Sequence, residues 1–459
     1  MSEENQVLQK PEENKMGVMP VRKLLFSMAV PMMVSMLFQA LYNIVDSIFV
    51  SKLNQDAMNA VSLSFPIQTL LIAFSTGTGV GMNALLSRSL GEKKYKRANR
   101  TANTGIFLYL CMAVLFSVIG WGFGRKYFEI QTSNPAIIAY GGDYLHICIG
   151  IGFFLFGQMC FERLLQSTGR TDLAMIPQVV GAVTNMILDP VFIFGLLGAP
   201  RLEVMGAAVA TVIGQGLATL VGLYLNLKKN KEIRLSVREI RPNRKIIAMI
   251  YKIGLPSILM QSIGSVMNFF MNQILIGFTE AATAVFGAYY KLQSFIFMPI
   301  FGLNNAMIPI ISYNYGAGKP DRVKKVFKLT VLTAVTIMSV GTLLFETIPG
   351  ILIGIFSPSD EMLSIGRTAL RIIGSHFPLA GFSIIAVSVC QAIGNPFHSL
   401  INSVCRQLVV LLPAAYLLSL TGKLNLVWLA FPIAEIFSII LSFFFLRSTF
   451  RKLADLNAG

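Results

Sequence analysis

Leu165-Gln-Ser-Thr-Gly169 recurs about 225 positions later as Cys390-Gln-Ala-Ile-Gly394. The same shift pairs Pro31 with Pro256, Asn43 with Asn268 and Gln68 with Gln293. It also sets Gly91, Lys94 and Arg97 on Gly316, Lys319 and Arg322. A register kept over so many positions marks an internal duplication. The embedded aspartates are what the two copies do not share. Asp46 falls on Met271, Asn185 on Val410 and Asp189 on Ala414. A carboxylate at bilayer depth costs ~2.5–3.5 kcal/mol. Scaffolding is a poor reason to keep one, so the asymmetry points to chemistry.

The bilayer is implied by composition. The chain has 459 residues, 54% hydrophobic and 13% charged, with a mean hydropathy of +0.66. Soluble domains run near a quarter charged. A helix needs ~20 apolar residues to cross the hydrocarbon. Twelve stretches qualify, near 22–51, 57–86, 99–124, 137–161, 172–197, 204–227, 246–277, 280–313, 326–349, 361–391, 396–420 and 424–447. The expected fold is an all-α polytopic membrane protein of twelve helices in two six-helix bundles. The organisation reads as a tail over 1–20, a first lobe over 21–227, a linker over 228–245 and a second lobe over 246–459 with a short terminal tail. Six is even, so both copies face the same way, and parallel repeats of this kind hold substrate between them. Residues 1–20 are polar and acidic, which speaks against a removed signal peptide.

The net charge of +16 is not spread evenly. Lys and Arg collect in alternate loops, at Arg88 to Arg100, Lys228 to Lys245, Lys319 to Lys328, and Arg447 to Lys452. The opposite loops carry only Lys52, Arg125, Lys126, Arg201 and Lys423. That is the positive-inside pattern; it puts both termini in the cytoplasm of a multi-pass cell-membrane protein. The basic charge is topological, and no nucleic-acid partner is expected. In the linker, Ile233, Leu235, Val237 and Ile240 either rest on lipid headgroups or belong to a plain solvated tether.

Composition also excludes several chemistries. Five cysteines fall within spans without CxxC or zinc spacing, three histidines are scattered, and no complete phosphate-binding loop occurs. No cofactor is expected, nor ATP hydrolysis within the chain. No Ser-His, zinc or Gly-Asp protease constellation marks an enzyme. Ten prolines interrupt the spans, among them Pro31, Pro66, Pro177, Pro190 and Pro256. Each removes a backbone hydrogen bond and permits a bend. Such hinges suit rocking between states better than a rigid channel.

Gln39, Asn43 and Asp46 share one face of the first span, at i, i+4 and i+7, with Tyr42 beside them. Gln178, Asn185 and Asp189 share one face of the fifth. Two polar stripes that each end in a carboxylate can meet only inside the first bundle. There they would bind and release a proton, unless each aspartate merely bonds neighbouring backbone. Gln261, Ser265, Asn268 and Asn272 form a neutral stripe on the seventh span; Thr211, Gln215 and Thr219 form another on the sixth. With 34 Phe, 22 Met and 13 Tyr, such faces suit broad apolar ligands. Ordinary helix–helix contact explains them equally well. Glu435, Lys291 and Arg406 are embedded and would pair or line a wet vestibule. Glu162 and Arg163 should reach the interface. Asp143, Arg367 and Arg371 should be interfacial too.

These residues resemble the multidrug and toxic compound extrusion (MATE) family, nearest its bacterial MepA-like branch. The resemblance spans essentially the whole chain after residue 20. It rests on Val45-Asp46-Ser47 with Pro31 upstream, Leu165-Gln-Ser-Thr-Gly169-Arg-Thr-Asp, Asn185-Met-Ile-Leu-Asp189-Pro-Val-Phe-Ile-Phe-Gly195 and Gly206-Ala-Ala-Val-Ala-Thr-Val-Ile-Gly-Gln215. Trp428-Leu-Ala-Phe-Pro-Ile-Ala-Glu435 points to the MepA-like branch. The resemblance implies a V-shaped pair of lobes exporting organic cations and drugs in exchange for protons or sodium. It also implies a coupling site at Asp46, Asn185 and Asp189 with Gln39, and a helix that bends at Pro31. Family members with a sodium site in the second lobe use acidic residues in spans seven and ten. Span seven here offers only Asn268 and Asn272, so protons are the favoured ion, and sodium held by Asp46, Asp189 and Asn185 stays open. The expected partners are a small cationic or amphipathic substrate and membrane lipid, with the protein a monomer. A flippase or exporter of a lipid-linked or endogenous metabolite on the same fold is the alternative.

Overall fold

The computed structural model describes residues 13–356 and 358–455, the last four of these by backbone alone. The start of the expected tail, the end of the chain and the Lys452 side chain lie outside the described residues. The first repeat comprises α1 Lys15–Val18, α2 Val21–Ser51, α3 Gln55–Gly91, α4 Tyr95–Gln131, α5 Pro135–Cys148, α6 Phe153–Ser167, α7 Thr171–Phe194 and α8 Val204–Lys228. The second comprises α9 Arg244–Ile276, α10 Glu280–Gly316, α11 Pro320–Thr347, α12 Pro349–Gly354, α13 Asp360–Gly374, α14 Phe377–Ile393 and α15 Pro396–Val404. A π-helical segment Cys405–Leu411, α16 Leu412–Ser419, α17 Leu424–Val427 and α18 Ala430–Asp455 complete it. Among the described residues ten helices are long and apolar enough to cross a membrane, or twelve if α5 with α6 and α13 with α14 each count as one bent span.

The duplication is written into the element ends. α3 and α10 start and stop at equivalent positions under the same shift of about 225, and α4 and α11 begin at equivalent ones. Gly169 and Gly394 both take a left-handed conformation, φ +84° and +96°, where each repeat turns into its next helix. A side chain would be strained there, which is why the repeated pentapeptide ends in glycine.

Several prolines sit inside continuous helices, and others mark breaks. α2 runs unbroken through Pro31, α3 through Pro66, α7 through Pro177 and Pro190, and α9 through Pro256. The sharp breaks are 45° between α5 and α6 and 47° between α13 and α14. They fall at Ile149–Gly152 and Ser375–His376, so the fourth span ends at Ser167 rather than 161. A helix carries a proline when neighbouring groups satisfy the freed carbonyl; the first break contains Gly150 and Gly152, and the second lies just before Pro378 in the first turn of α14. The eleventh span is also interrupted, by the π turn just before Pro413.

The linker is tied to α4 and is not a loose tether. Asn99 Oδ1 accepts from the Arg234 amide at 2.9 Å, and Asn103 Oδ1 from the Ser236 amide at 3.0 Å. Asn103 Nδ2 donates to the Arg234 carbonyl at 3.1 Å. Ile233 is buried, Leu235 packs on the core, and Val237 is 86% exposed.

The two repeats meet through glycine on the side that carries the basic loops. A Cβ on Gly91 would lie 2.0 Å from the Tyr313 carbonyl oxygen, and one on Gly316 would lie 2.4 Å from the Arg88 carbonyl oxygen. Tyr313 and Arg88 are themselves equivalent residues, so the crossing is pseudo-symmetric. Further along, Gly77 lies against Gly254 and Ile258 of α9, and its counterpart Gly302 against Met32 and Met33 of α2. Every residue from Gly77 to Ser87 of α3 and from Ala306 to Asn314 of α10 is buried. Beside the crossing, Glu92 binds Arg88 at 2.8 Å, Lys94 at 2.8 Å and Arg97 at 2.7 Å. Burial would raise its carboxyl, but these basic partners outweigh burial and hold it below the usual range. We predict that Gly91→Ala and Gly316→Ala each lower unfolding stability in micelles by ~1–3 kcal/mol. Gly122→Ala, where nothing lies within 4 Å of the added carbon, should be neutral.

Candidate functional site

α2 packs along α7, and α7 along α8. The first pairing brings the two polar stripes together. Gln178 Nε2 donates to Gln39 Oε1 at 2.8 Å, and its carbonyl oxygen accepts from the Ser35 hydroxyl. Both ends of the Gln178 amide are thus engaged with α2. Farther along α7, Asn185 Nδ2 donates to Asp189 Oδ1 at 3.1 Å and to Thr211 Oγ1 of α8 at 3.1 Å. Asp189 is 0% exposed, and its second oxygen has no partner. Asp46 is half-buried and likewise keeps a buried oxygen without a partner. The two carboxylates are within electrostatic reach of one another, and Asp46 also acts on Tyr42, Tyr144 and Cys148.

Asp46, Asn185, Asp189, Gln39 and Gln178 are therefore gathered between α2, α7 and α8. Asn43 is not among them; it is exposed, and its carbonyl accepts from Ser47 at 2.8 Å. Gln215 is half-buried, with its carbonyl bonded to Thr219 at 2.8 Å. On α9, Gln261 and Asn272 are exposed, and Asn268 is half-buried with its side-chain carbonyl oxygen unpartnered. Tyr144 of α5, bonded by Gln68 at 2.9 Å, joins the surroundings of Asp46. The sequence reading missed it. The signal was there in Tyr144 and Cys148, one turn apart on the same helical face.

Two embedded pairs sit elsewhere. Glu162 and Arg163 are buried, 5% and 6% exposed, instead of reaching the interface. Gly79 of α3 lies against Arg163, and Arg163 Nη1 bonds Gln166 at 2.9 Å and Asn305 of α10 at 3.1 Å. Arg406, on the π turn, pairs with Glu435 of α18 at 3.2 Å. Lys291 does not join them and lies over the Phe356 ring, 5.9 Å from its centroid. Asp143, Arg367 and Arg371 are exposed.

The MatE family profile matches twice, over residues 31–191 and 256–417, once per repeat. The chain belongs to the MatE family. It is 27% identical to the multidrug export protein MepA of Staphylococcus haemolyticus over 432 residues, 94% of each chain. It is 26% identical to an FAD transporter of Shewanella oneidensis, over 91% of this chain and 92% of that one. The fold superposes on an outward-facing multidrug resistance MATE transporter with a TM-score of 0.90 at 25% identity, covering 98% and 99% of the two chains. A MATE in the straight conformation gives a TM-score of 0.91 at 24% identity, covering 98% and 99%. This MatE protein is thus a MepA-like, multi-pass membrane transporter of a multidrug-efflux family, and not an enzyme.

Removing one member of the Arg406–Glu435 pair leaves the other charge in apolar surroundings. We predict that Glu435→Ala costs about 2 kcal/mol of unfolding stability, the guanidinium being partly solvated. The double replacement Glu435→Met with Arg406→Met should cost less than the single one, as read in a double-mutant cycle in micelles.

Proposed function

We propose that this MatE protein is a secondary active exporter of organic cations and drugs, driven by protons entering through Asp46 and Asp189. The observation that carries the reading is Asp189, wholly buried with one oxygen unpaired, in electrostatic reach of an equally underbonded Asp46. Two such carboxylates disfavour double ionisation, and a proton or another cation relieves the cost. Asn185 positions Asp189, while Gln39 and Asn43 belong to the same helical face. Sodium held by Asp46, Asp189 and Asn185 is the competing ion.

In this reading the repeats act as lobes, 21–227 and 246–459, joined by the linker 228–245. They rock in the plasma membrane with both termini cytoplasmic, and the protein works as a monomer. Gln215, Gln261, Asn268 and Asn272 hydrogen-bond cargo between the lobes. Gln178, assigned to cargo by the sequence, serves better as a strut between α2 and α7, since both ends of its amide are taken. Protonation discharges the pocket, lets α2 bend at Pro31 and loosens the grip on a cationic cargo. Cargo binding must then lower proton affinity by the same factor. The FAD transporter of Shewanella oneidensis favours a second reading, export of an endogenous metabolite on the same scaffold.

The test is uptake of a fluorescent cationic dye into vesicles under an imposed pH gradient, with and without sodium. Asp46→Asn and Asp189→Asn should each reduce pH-driven uptake at least tenfold. Undiminished transport in both variants defeats the coupling scheme. Sodium-driven uptake without a pH gradient would select the other ion, and FAD export without dye transport would select the second reading.

A further inference from the structure

We propose that residues 13–19 form a latch across the repeats, one that must release whenever the basic-loop face opens. Met16 at its centre is 0% exposed, enclosed on both sides. Toward the first repeat, Asn14 Nδ2 donates to the Thr168 carbonyl at 2.9 Å, and Met16 packs on Gly169, which is left-handed and has no side chain. Toward the second, Asn314 Nδ2 donates to the Met16 carbonyl at 2.9 Å. Arg322 Nη2 donates to the Met16 and Met19 carbonyls at 3.1 and 2.7 Å. Lys319 Nζ donates to the Gly17 carbonyl at 3.0 Å and to Glu13 at 3.1 Å. One short segment therefore bonds both repeats at the edge of the glycine crossing.

The duplication explains why only one such latch exists among the described residues. Arg97 and Arg322 are equivalent, and each turns its Nε onto its own repeat, to Ser89 at 2.8 Å and to Asn314 at 3.0 Å. The other arm of Arg97 is taken by Glu92 at 2.7 Å. At the equivalent of Glu92 the second repeat has Ala317. With no carboxylate to hold it, Arg322 grips the backbone of the amino-terminal segment instead. Separating α3 from α10 pulls Asn14 off Thr168 or Arg322 off Met16 and Met19. The latch thus biases the molecule toward the state closed on this face, and each transport cycle has to break it.

This inference rests on the rocking motion of the exporter reading, but its test needs no cargo. Spin labels on Lys96→Cys and Asp321→Cys, in full-length protein with Cys111 and Cys405 changed to Ser, report the separation of the two repeats in liposomes. Asn14→Ala should raise the ratio of separated to closed molecules about fivefold, the size set by one lost hydrogen bond, and Arg322→Gln, which loses two bonds to the segment, at least as much. Ala317→Glu should do the same without removing a side chain, by giving Arg322 the carboxylate that Arg97 has. Lys325→Gln, an equal charge change at an exposed site, should leave the distances alone. Unchanged distances in Asn14→Ala, Arg322→Gln and Ala317→Glu overturn the latch. Absence of dye transport in the unaltered protein would instead overturn the exporter reading and leave the distances to judge the latch.

Discussion

α3 reaches α10 at points where neither helix has a side chain in the way. Gly91 faces the Tyr313 carbonyl and Gly316 the Arg88 carbonyl, so the backbones come as close as two helices can. In a membrane, where water does not drive helices together, such close approach is a main source of association. Much else follows from it. The buried runs of α3 and α10, the enclosure of Arg163 against Asn305, and the seat for residues 13–19 all lie on that crossing.

The two repeats use polar groups in opposite ways. The first sets Asp46 and Asp189 between helices without a basic partner, an arrangement that gains from a small cation. The second neutralises its buried acid at once, Glu435 against Arg406 at 3.2 Å on a π turn. An internal ion pair of that kind adds little net stability against apolar packing but is costly to break. Duplication thus supplied two equal frames, and divergence left acids without a basic partner in one of them and an ion pair in the other. The same logic appears at the basic-loop face. Glu92 satisfies Arg97 in one repeat, while Ala317 frees Arg322 for the amino-terminal segment in the other.

Fold class, span number and repeat register were all legible in the residues, because each depends on local quantities. Hydropathy over twenty positions sets a span, and Gly169 with Gly394 marks equivalent turns. The helical spacing of Gln39 and Asp46, and of Gln178 and Asp189, also placed each set on one face. Their meeting needed the packing of α2 on α7. The chain alone did not say that Gln178 would use both ends of its amide, that Thr211 would share Asn185, or that Tyr144 would approach Asp46. Pro378 and Pro413 adjoin breaks, whereas Pro31, Pro66, Pro177, Pro190 and Pro256 sit inside continuous helices, since a membrane helix can absorb the lost hydrogen bond. Charge misplaced Glu162 and Arg163, since an apolar count cannot see that a second helix closes over them. Covalent order and side-chain period therefore determined what elements exist and which face each presents. Long-range contact alone decided which polar groups are satisfied, because a partner on another helix leaves no local trace.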